Sequence, residues 1–102
     1  MTLEPGLDRH EWETEFAQLE PELHEAPLEA LPELAALVER MLVERGYELD
    51  PESRDETGFV PEFLAAKTVA DQGDQADLGD VADAVQKLLS IYEFLVTERR
   101  PP

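Results

Sequence analysis

The apolar positions of this chain recur at helical spacing in four stretches, and none alternates with the period of two that a strand requires. In the first stretch Trp12, Phe16, Leu19 and Leu23 follow at intervals of four, three and four, one narrow stripe on a 3.6-residue helix. Asp8 is placed as its N-cap, with Glu11 as the capping-box partner and Leu7 and Trp12 as the two ends of a hydrophobic staple. Proline disfavours helical geometry in the residue before it, so Pro21 is expected to stop or kink this helix, leaving it over about 8–20.

A second helix is predicted over about 32–45, with Leu34, Leu37, Val38, Met41 and Leu42 on its buried face and Gly46 as its C-terminal stop. Pro21-Glu22-Leu23, Pro32-Glu33-Leu34 and Pro61-Glu62-Phe63 share one pattern, which reads as a helix start. Proline gives up an N–H that the first position does not need, and glutamate beside it faces the positive end of the helix dipole. The charged, breaker-rich stretch 47–58 is read as loop. A weaker helix over about 61–72 carries Phe63, Ala66 and Ala70 on one face, with Phe59 on the same face just before it. A turn follows, and then a long helix over about 78–98. Val81, Ala84, Val85, Leu88, Leu89, Ile91, Tyr92 and Leu95 occupy half of its circumference, whereas Phe94 falls among Asp83, Lys87 and Ser90 on the polar half. The sum is an all-α chain, a small three- to four-helix bundle in a single domain spanning 1–102.

Charge changes this picture more than any other feature. The chain has 25 acidic and 8 basic residues, a formal net of −17 in 102 residues. Such a surface repels DNA, RNA and anionic lipid, so direct contact with nucleic acid or membrane is not expected. The excess is uneven: residues 1–34 hold ten acids and only Arg9, against fifteen acids and seven bases in 35–102. Asparagine is absent and arginine outnumbers lysine six to two, the composition of a GC-rich coding sequence. Few lysines beside many carboxylates also fits adaptation to high salt, in which the charge is a solvating coat with no other use. No cysteine is present, which excludes disulfides and thiolate chemistry. The start carries neither a basic n-region nor an apolar h-region, and no apolar run approaches the ~20 residues that cross a bilayer. A cytoplasmic protein is expected.

Little in the chain points to catalysis. His10 lies opposite the first apolar stripe and His24 stands just past Pro21, and neither belongs to a metal-binding spacing. Ser53 and Ser90 are the only serines and lack a nucleophile-elbow context; no phosphate-binding glycine loop is present. Asp71, Asp74, Asp77, Asp80 and Asp83 recur every third residue, and Asp71, Asp74 and Asp77 are the candidates for a weak divalent-cation site. The EF-hand order is missing, and Asp77, Asp80 and Asp83 suit the cap and first turn of the last helix.

The reading that remains is non-enzymatic, without a cofactor: an interaction or regulatory module whose acidic helical surface meets a protein partner, for which a basic surface is the complement. Candidate contact residues are Trp12, Glu13, Glu15, Val43 and Phe94. Trp12 has a competing role as core anchor through the staple. Phe94 is an aromatic on a polar face, and Val43 lies opposite Leu34 and Met41 beside Ala36. The alternatives are the divalent-cation protein and a small homodimer joined through exposed apolar positions.

Overall fold

A computed structural model describes residues 7–50, 52 and 58–97, with side chains from His10 onward. Four α-helices follow one another: α1 (Leu7–Glu25), α2 (Pro27–Glu44), α3 (Phe59–Gln72) and α4 (Leu78–Thr97). One 3₁₀ turn, Gly73–Gln75, joins α3 to α4. No strand occurs among the described residues. The fold is an all-α bundle.

Two prolines read as helix starts lie inside helices instead. Pro21 is inside α1, which continues to Glu25, and Pro32 is inside α2, which begins five residues earlier at Pro27. The reason is continuity of burial. Leu23 packs on the core beyond Pro21, and Ala30 and Leu31 are fully buried before Pro32. Apolar contact on both sides of each ring holds the helix through a position where one backbone hydrogen bond is lost. The true start of α2 obeys the same rule one proline earlier: Pro27 takes the first position and Glu29 sits in the first turn. Ala26, at φ −143°, is the only residue between α1 and α2. Its carbonyl accepts the Glu29 and Ala30 N–H groups at 3.0 Å each, and its own N–H donates to Glu22 at 2.7 Å.

Helix α3 begins at Phe59, two residues before the Pro61 read as its start, after Gly58; the end of α2 and the start of α4 follow their signals. Gly46, at φ +91°, ends α2: its N–H reaches the Val43 carbonyl at 3.0 Å and Tyr47 N–H reaches Leu42 at 2.9 Å, the paired bonds of a glycine stop. Asp77 opens α4 by accepting the Gly79 N–H at 3.1 Å, as its cap reading requires. Helix α1 already includes Leu7, so Asp8 stands within its first turn and not before it as the N-cap, and the Leu7 half of the staple lies outside the described side chains.

Cross-contacts give the topology. Glu15 meets Arg40 and Trp12 meets Arg45, so α2 returns antiparallel to α1. Phe59 at the start of α3 touches both Tyr47, just past α2, and Phe94 near the end of α4. The helices therefore run up, down, up and down. The core is built by α2, α3 and α4, with Leu31, Leu34, Phe63, Leu88, Ile91 and Leu95 among its fully buried side chains. Every described buried residue is apolar. Helix α1 packs mainly on α2, touches α4 lightly, and contributes only Trp12 and Leu19 as buried described residues.

Candidate functional site

The alternating run of helices sorts the described charges by height in the bundle. Trp12, Arg45, Tyr47, Phe59, Phe94 and Leu95 meet at one end. The turn at Ala26 lies at the other. Because α3 starts beside Tyr47 and runs back along α2, the 3₁₀ turn Gly73–Gln75 also reaches this second end, where it packs against α2 and α3. Two acid-rich turns that are distant in sequence thus share one pole. Glu22, Glu25, Glu29 and Glu33 come from the α1–α2 side, and Asp71, Asp74, Asp77 and Asp80 from the α3–α4 side.

Carboxylates crowd one another on the α1–α2 side. The Glu22 carboxyl faces Glu33, and a hydrogen bond between the two raises the Glu22 pKa above its ordinary 4.5. Partial desolvation and the charges of Glu33 and Glu29 push it the same way. A carboxyl pair of this kind is held together by a shared proton and separated by its loss. Lys67, paired with Asp71 at 3.7 Å, is the described cation nearest in sequence to the Asp-rich turn.

Every described basic side chain is already engaged within the bundle. Arg40 forms a two-pronged pair with Glu15: Nη1 donates to Oε1 at 3.1 Å, and Nη2 donates to Oε2. Lys87 donates to Asp83 at 2.8 Å. Arg45 donates to the Leu95 carbonyl at 3.1 Å, and its guanidinium lies 5.2 Å from the centre of the Trp12 ring. The sequence placed Arg45 at the end of its own helix; in three dimensions it caps the last turn of α4 and braces α1.

The predicted contact residues separate accordingly. Trp12 is 4% exposed and belongs to the core, which removes it from the surface. Its place on the apolar stripe of α1 and its cation partner explain why: the ring lies in the core beneath Arg45 at the seam between α1 and α2. Glu13 is exposed, whereas Glu15 is half-buried and committed to Arg40. Val43 is 56% exposed. Phe94 is 42% exposed and stands edge-on to Phe59 at 4.9 Å, with Tyr47 a further 6.3 Å from Phe59. The polar-face aromatic is therefore the outer member of a three-ring surface strip. His10 and His24 are both exposed. Asp71, Asp74 and Asp77 do not assemble a metal site, for no three His, Cys, Asp or Glu side chains among the described residues converge to hold an ion. Asp77 is occupied with its helix cap, and Asp71 is paired with Lys67.

Sequence reasoning missed the shared acidic pole. Its two halves are some forty positions apart in the chain, and only the helix directions bring them together. No described helix is long and apolar enough to cross a membrane. No family model, curated protein or solved structure matches this chain.

Proposed function

We propose that this protein is a non-enzymatic interaction module that binds a basic protein partner through the acidic pole formed by the Ala26 turn and the start of α4. The carrying observation is the crowding of Glu22 against Glu33 and Glu29 at that pole. Like charges held together this closely are relieved by a cation, and the described cations of the chain are engaged in contacts of their own. An Arg- or Lys-rich surface supplies that relief, with long-range attraction speeding encounter. Glu20 and Glu25, exposed on α1, widen the target along the helix.

The test replaces Glu22, Glu25, Glu29 and Glu33 by Gln, with a charge-matched control in which Glu44, Glu48, Asp50 and Glu93 become Gln or Asn. Immobilised wild type is expected to retain one dominant basic protein from an extract at low salt and to release it steeply with KCl. The pole variant loses it and the control keeps it. Equal loss in both variants shows that only total charge matters and removes the pole as a site; capture that ignores salt removes the electrostatic reading altogether.

A further inference from the structure

Helix α1 differs from the other three in how it is held. Of the 21 buried hydrophobic residues described, 19 belong to α2, α3 and α4, and two, Trp12 and Leu19, to α1. Phe16 and Leu23 add half-buried contacts. The three later helices all pack on one another, whereas α1 reaches only α2 and, lightly, α4. Its polar and aromatic attachments lie in its first half: Trp12 under the Arg45 guanidinium, Glu15 on Arg40, and Phe16 stacked on Tyr92 with ring centres 4.2 Å apart and planes 18° from parallel, while Leu19 and Leu23 alone hold the second half to the core. The opposite half ends at the single-residue joint Ala26, where Glu22 meets Glu29 and Glu33 across the seam.

We propose that α1 is a releasable strap that opens as one unit about Ala26, freeing Trp12, Phe16 and Leu19 together and uncovering the face of α2 and α4 around Arg45 and Tyr92 while α2, α3 and α4 stay folded. The physical basis is unequal burial. Cooperative opening follows the boundaries of packed units, and the unit with the fewest buried contacts opens first. The core beneath keeps its own apolar interior, with Leu34, Leu88, Ile91 and Leu95 fully buried. Near the joint, the repulsion of Glu22 by Glu33 and Glu29 works against the Leu19 and Leu23 contacts, so that half of α1 is held weakly once the Trp12, Glu15 and Phe16 contacts part. This inference stands apart from the partner reading and does not require it.

Trp12 is the only tryptophan, so its fluorescence reports the strap alone. In a urea titration of the full chain, Trp12 emission and acrylamide quenching are expected to change at lower urea than far-UV helicity. Native-state hydrogen exchange is expected to show α1 amides opening together, well before those of α2 and α4. Phe16→Ala, at a half-buried position, shifts the Trp12 transition to lower urea and leaves the slow-exchanging core of α4 in place. Coincident transitions in wild type, or a Phe16→Ala variant in which α1 and α4 lose protection equally, overturn the strap.

Discussion

Glu22 shows how a single half-buried side chain can work against the fold. Its pKa is raised because folding sets it against Glu33 and, more distantly, Glu29. A carboxyl raised in the folded state binds its proton more tightly there than in the unfolded chain. Its contribution is therefore stabilising below the ordinary 4.5 and is lost as pH rises through the folded value. At neutral pH the charged form is a liability. Glu22→Gln is expected to be more stable than wild type at pH 7, and the advantage is expected to vanish toward pH 4, read as the difference in urea midpoint across the series. An advantage unchanged by pH would assign the effect to packing. The pairing itself was not legible in the sequence: Glu22 and Glu33 look like two similar Pro-Glu dipeptides, and only the antiparallel return of α2 sets one against the other. Arg45 carries the same lesson, since its partners Trp12 and Leu95 lie on two other helices.

At the scale of the element, the prolines separate local preference from tertiary demand. Pro27 agrees with its position, for the N–H it lacks has no partner at the start of a helix. Pro32 does not. An N–H there would have reached the Leu28 carbonyl, and the ring crowds that same oxygen. Ala30, Leu31, Leu34 and Ala35, all buried on either side of it, hold the helix together regardless. Removing an interior proline recovers up to ~3 kcal/mol of helix propensity, less roughly 0.4–1 kcal/mol for the freer unfolded chain. Pro32→Ala is thus expected to raise stability by up to about 2 kcal/mol in urea denaturation, whereas a loss would mean that the ring makes a contact worth more than the missing bond. The sequence pattern placed all four helices correctly as elements. It misjudged the ends of α1 and α2 because a local rule about proline was applied where burial decides.

For the whole molecule, the balance lies between an apolar core and a coat of like charge. Described ion pairs such as Glu15–Arg40 and Lys87–Asp83 are exposed, and pairs of that kind contribute about 0–1 kcal/mol each. The net −17 is long-ranged by comparison, and salt shortens its reach from ~10 Å at 0.1 M to ~3 Å at 1 M. Adding KCl is therefore expected to raise the melting temperature, by about 4–8 °C for each kcal/mol of repulsion removed in a chain of this size. A melting temperature that falls with salt would place the ion pairs above the repulsion. Relief by bound cations at the acidic pole and relief by dissolved salt have the same physical origin, which is why the two are separable only by the position of the substituted carboxylates.

The sequence by itself determined the all-helical class, the four apolar stripes, the glycine stop at Gly46 and the cap at Asp77, because each depends on residues within a turn or two of one another. It also determined the sign and size of the charge. The tertiary structure decided what those elements are for. It withdrew Trp12 into the seam, set Phe94 at the edge of an aromatic strip, turned Arg45 toward α4, left α1 the least buried helix, and gathered two distant acidic turns at one pole. Those outcomes depend on which helix ends meet, a property of packing direction that no local pattern along the chain encodes.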